Sequence, residues 1–172
     1  MKSRSALFVL VLLLLTVSVC AAQSPMGFSP DDFYQTFKEI NAAANGPEST
    51  YTQGDEENGA YIVVTDDIVI NLLYTKNEVT EIYLLSHITS DNQEKIGTDI
   101  GWVGGTIIIT LAYESGLNIE DIDFDEYTYL LVDLFGNATS KDYCGYHFDW
   151  KYQEVEDYVL GVLCVTKIDD AA

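Results

Sequence analysis

Cys144 and Cys164 bracket the segment CGYHFDWKYQEVEDYVLGVLC, and a third cysteine, Cys20, lies near the N-terminus. Cysteine pairs can close a disulfide, grip a metal or run redox chemistry. There is no CxxC, and no histidine stands at ligand spacing, so metal and redox roles are disfavoured. Tyr146, Phe148, Trp150 and Tyr152 alternate with His147, Asp149 and Lys151, the period-two pattern of a strand with one apolar face. Tyr158 to Ile168 is a second apolar, β-branched run, with a polar, turn-like Gln153–Asp157 between. A hairpin centred on Glu154 sets Trp150 opposite Tyr158, Phe148 opposite Leu160, Tyr146 opposite Val162 and Cys144 opposite Cys164. Opposed strand residues lie within disulfide reach. The expectation is a structural Cys144–Cys164 staple, with a bulge at Gly145 or Gly161 able to shift the register, and two buried free thiols as the other reading.

Carboxylates are the next candidates. In NIEDIDFDEY, Asp121, Asp123 and Asp125 mimic the start of an EF-hand loop. The glycine that loop needs next is Glu126, and its twelfth position is Val132 rather than Glu. Acid at a helix N-terminus explains the same residues through the macrodipole, leaving calcium a weak prospect and no other cofactor indicated. His87 and His147 are the only histidines, and His147 neighbours Asp149 on the polar side of its strand. No GxSxG-type elbow accompanies them. Gly101, Gly104 and Gly105 form no phosphate-binding GxGxxG. Tyr143, Tyr146, Phe148, Trp150, Tyr152 and Tyr158 could stack sugars or peptides, although such a stripe usually packs a core. Asn137-Ala138-Thr139 is a glycosylation sequon, placing Asn137 as a modification candidate.

These residues need elements to hold them. Ser29-Pro30-Asp31-Asp32 opens a helix with an N-cap, a proline in the first position and acid in the first turn. Phe33, Phe37 and Ile40 give it one buried stripe, and Asn45-Gly46-Pro47 stops it. Residues 48–59 read as loop. AYIVVT, IVINLLYT and VTEIYLLSH are strand candidates, the first two separated weakly by Asp66-Asp67. Ile68, Ile70, Leu72 and Tyr74 share a face while Val69 and Leu73 take the other, so both faces are partly apolar. Ile96, Ile100, Val103, Ile107 and Leu111 are helically spaced, although the β-branched run Thr106–Thr110 argues for a strand; length and spacing favour a buried helix. Asp123 can cap a further helix over 124–135. The fold class is α+β: an antiparallel sheet of about five strands, with an N-terminal helix and one or two central helices packed on it.

The first 22 residues carry Lys2 and Arg4, an apolar run from Ala6 to Leu15 and small residues before Gln23, the pattern of a secretory signal peptide cut after Ala22. Residues 23–172 then form one globular domain. Cys20 is also a lipidation candidate, which would anchor the protein at the cell surface, although Val19 departs from the small residue expected before a lipidated cysteine. No later stretch reads as a membrane span. The whole chain has 28 acidic residues against 8 basic ones, a net charge of −20. That charge repels nucleic acid and selects, for any protein partner, a basic one.

SPDDFYQTFKEINAAA, followed by a strand meander, a helix and a closing hairpin, resembles small exported or lipoprotein-type bacterial domains of unknown function. The resemblance rests on element order and implies a non-enzymatic envelope or extracellular role. The combined expectation is a secreted, acidic, non-catalytic interaction domain binding a cationic protein. The alternatives are a secreted hydrolase using an Asp/Glu pair and a structural surface component.

Overall fold

The structure is a computed structural model and describes residues 24–54, 59–137, 140–155 and 157–168. The expected signal peptide with Cys20, and Ala138 and Thr139 of the sequon, lie outside these residues. The described chain runs α1 (Pro30–Ala43), β1 (Thr50–Thr52), β2 (Ala60–Thr65), β3 (Ile68–Thr75), β4 (Glu78–Ile88), α2 (Gln93–Glu114), a 3-10 turn (Ile119–Asp121), α3 (Phe124–Asn137), β5 (Ser140–Tyr143), β6 (Tyr146–Val155) and β7 (Tyr158–Lys167). The fold is α+β, with all seven strands in one antiparallel sheet ordered β1-β2-β3-β4-β7-β6-β5. Two meanders therefore meet where β4 pairs β7, and the α2–α3 segment connects them. The two strands beyond the expected five are short: β1 lies inside the polar 48–59 segment and β5 follows α3.

Local chemistry accounts for the helices. Ser29 and Asp32 form a reciprocal capping box, with the Ser29 hydroxyl accepting from the Asp32 N–H at 3.1 Å. Phe33 and Phe37 are fully buried, and Phe28, Phe33 and Phe37 stack in series with centroids 5.8 and 6.2 Å apart. Ile40 is only half-buried; Pro30, Tyr34 and Asn41 are the other buried residues of the helix. All five helically spaced apolar residues of α2 are buried. Its β-branched threonines are accommodated because Thr106 and Thr110 hydroxyls donate to the Trp102 and Thr106 carbonyls, at 3.0 and 2.7 Å. By length and composition α2 is able to cross a membrane, unlike the sequence expectation, but here most of it is packed inside the fold. Asp123 caps α3 as expected, its carboxylate accepting from the N–H groups of Asp125 and Glu126 at 3.0 and 3.2 Å.

The helices pack on one face of the sheet. Ile62, Ile70, Leu72, Leu84, Phe148, Trp150, Leu163 and Val165 are fully buried there. Trp150 meets Phe135 of α3 edge-on with centroids 5.0 Å apart. The aromatic stripe is thus core at Tyr146, Phe148 and Trp150, while Tyr152 is half exposed.

The closing hairpin corrects the cysteine expectation. Val155 pairs Tyr158, so the turn is two residues long rather than five. Trp150 faces Leu163, Phe148 faces Val165 and Tyr146 faces Lys167. This register differs from the Glu154-centred one by an odd number of residues, which exchanges the two faces of β7. Cys164 pairs Asp149 and points away from the helices, while Cys144 sits at φ 49° in the β5–β6 turn and packs against the main core. Cys144 lies in the turn before β6, and a further three residues of strand, about 10 Å, run from Tyr146 to Asp149, the residue opposite Cys164. Both thiols are free, and the predicted Cys144–Cys164 staple is not formed because register and facing forbid it.

Candidate functional site

Alternation along β2, β3, β4, β6 and β7 sends every second side chain to the face that no described helix covers. One cross-strand row there is Tyr61, Asn71, Tyr83, Cys164 and Asp149. The next is Val63, Val69, Leu85, Val162 and Lys151. Tyr83 and Leu85, each 5% exposed, form a second apolar cluster with half-buried Leu73, Val162 and Cys164. The partial apolarity of Val69 and Leu73 in the sequence had signalled this second surface.

Charge gathers around the cluster. Leu73, Glu81, Thr166, His147 and Asp142 form the row on one side of it. The Tyr83 hydroxyl donates to the Glu81 carboxylate. Lys151, the one lysine in these rows, is paired with Asp149. His87 lies at the other end, 3.4 Å from the Asp67 carboxylate and edge-on to the Tyr158 ring at 4.7 Å. His147 pairs Asp142 on the neighbouring strand at 2.6 Å, not Asp149 as the sequence suggested. The two His–Asp pairs stand at opposite ends of the β4–β7 ladder, about 20 Å apart along the strands, so they do not form one site.

Two groups in this face are chemically unusual. Burial pushes the Cys164 thiol up to about 11; the Glu81 and Asp149 carboxylates add to the rise, and a hydrogen bond with Tyr83 opposes it. Cys164 is therefore a neutral thiol at physiological pH, the opposite of an activated nucleophile. Burial likewise raises Cys144. Asn71 is fully buried between Tyr61 and Tyr83, and neither its amide oxygen nor its nitrogen has a partner among the described residues. No sequence pattern distinguished Asn71, since a lone asparagine in an apolar strand carries no periodic signal.

The other candidates are dispersed. No group of three or more His, Cys, Asp or Glu side chains suited to a metal ion occurs among the described residues. Of the calcium candidates, Asp123 spends its carboxylate on the α3 N-terminus, and Asp121 accepts from the Asn118 amide at 3.1 Å. No described Asp or Glu is buried, and burial is what prepares a carboxyl as a general acid. Asn137 is exposed at the end of α3.

A cleft of about 720 Å³ opens on the helix-bearing side, between the start of α2 and the β6–β7 hairpin. Comparison with known protein families, curated proteins and solved structures finds no match to this chain.

Proposed function

We propose that this is an exported, acidic, non-catalytic domain that binds a cationic protein on the helix-free face of its sheet. The observation that carries the reading is an apolar cluster in this face, in which buried Tyr83 and Leu85 underlie half-buried Leu73 and Val162, within a margin holding Glu81, Asp142, Asp149 and Asp67. An apolar centre with a charged rim is the usual anatomy of a specific protein interface. The net charge of −20 favours fast association with a basic surface and opposes a second copy of the chain. Export rests on the N-terminal signal pattern, and a lipid on Cys20 would retain the same function at a cell surface.

The test is titration against a panel of purified basic proteins at several salt concentrations. The expected partner binds with an affinity that falls steeply as salt rises, and Val162→Lys, on this half-buried surface, abolishes the complex without unfolding the domain. Binding that ignores both ionic strength and this substitution would overturn the reading. Intact mass of the exported protein, starting at Gln23 or carrying a diacylglycerol group at Cys20, decides between secretion and anchoring.

A further inference from the structure

The cleft between α2 and the β6–β7 hairpin lies on the other side of the sheet from the helix-free face. Its floor is apolar, made by Ile96 and Ile100 from α2 and Val159 from β7. Tyr152 forms one wall; its hydroxyl donates to the Phe135 carbonyl at 3.3 Å and its ring meets Trp150 edge-on, 5.3 Å between centroids. These two contacts fix the ring while half of the residue stays exposed. Glu154 projects on the same side of β6 about 7 Å further along, and Asp157 lies in the hairpin turn. Among the described residues, Glu154 and Asp157 are the charged ones lining the cleft. At Gly97 the helix wall has no side chain, and an added Cβ would meet nothing within 4 Å.

We propose that this cleft binds an organic cation, an amine or guanidinium carried on an apolar stem. The stem lies on the isoleucine and valine floor, the charge sits between the carboxylates, and the Tyr152 ring offers a cation–π face. The size suits a small molecule or one long side chain. The positive end of the α2 dipole also comes to this region, and Glu94 in its first turn offsets that field. The proposal does not depend on the helix-free face being an interface.

The probes are hexylamine, its neutral counterpart hexanol and its anionic counterpart hexanoate, each titrated into the full domain and followed by amide NMR shifts. A short peptide carrying one accessible arginine is the further arm: saturation by it as well as by hexylamine identifies a presented side chain as the ligand, and saturation by hexylamine alone identifies a free amine. The expected result is saturable shifts at Gly97, Tyr152 and Glu154 with the amine, and much weaker ones with hexanol and hexanoate. Glu154→Gln weakens amine binding about threefold, the scale of one exposed ion pair. Gly97→Leu fills the cleft and removes binding while the remaining spectrum stays native. The proposal is overturned if hexanoate matches the amine, if shifts scatter over the acidic surface, or if Gly97→Leu binds like the parent.

Discussion

At the residue scale, Asn71 is the clearest departure from what folding alone would choose. Two amide atoms with no partner among the described residues, in a fully buried side chain, are a standing penalty. Asn71→Leu keeps similar bulk and removes both, so it is expected to raise unfolding stability by about 1–2 kcal/mol, measured as a shift in the urea midpoint. No shift, or a loss, would mean that the amide is satisfied in solution. The two later cysteines give a second prediction. With both thiols free, Ellman's reagent titrates Cys144 and Cys164 without prior reduction in the unfolded protein, and reductant leaves Tm unchanged. Cys164 also ties stability to alkaline pH. Its folded value, about 11, lies above the ordinary 9.0, so the unfolded chain loses that proton first. The contribution is complete below pH 9 and disappears as pH rises through about 11. Cys164→Ala is therefore expected to lose stability less steeply between pH 9 and 11 than the parent, measured by urea denaturation.

At the element scale, α2 holds four glycines that look alike in the sequence and do different things in the fold. A Cβ on Gly104 would run into the Phe135 ring, and one on Gly105 into the Tyr127 hydroxyl. These two glycines let α3 lie close against α2. Gly97 and Gly101 face open space. Alanine should thus stabilise at Gly97 by up to about 1 kcal/mol, the helix propensity gain. At Gly104 the clash outweighs that gain, and alanine is expected to destabilise by about 1–2 kcal/mol in thermal or urea unfolding. Equal effects at the two sites would contradict the α2–α3 packing. The same helix shows what was legible in advance. Its apolar stripe and length identified it despite the threonines, and Ser29 and Asp123 announced the starts of α1 and α3 by capping chemistry alone. The β6–β7 register was not legible, because Glu154 and Val155 could belong to a turn or to a strand. Only pairing through Val155–Tyr158 decides between them, and the facing of Cys164 follows from that choice. The short strands β1 and β5 escaped because TYT and SKDY exist as strands through their neighbours, not through their own pattern.

At the scale of the whole molecule, charge acts on folding and on binding with opposite sign. The chain carries a net charge of −20, and the described ion pairs are few and mostly exposed. Exposed pairs contribute little, so screening them removes little. Screening the repulsion among the excess carboxylates relieves a strain that is greater in the compact state than in the expanded chain. Sodium chloride raised from about 10 mM to about 100 mM shortens the screening length from about 30 Å to about 10 Å, less than the width of this domain. Tm is therefore expected to rise over that interval, measured by scanning calorimetry at neutral pH. Over the same interval, affinity for a basic partner should fall, because attraction across the interface is screened by the same ions. The pairing of the two slopes is the informative quantity. A stability that falls with salt would mean that the scattered pairs, not the excess charge, govern the fold. It would also remove the reason to regard the acidic surface as held for a partner at some expense to the domain itself.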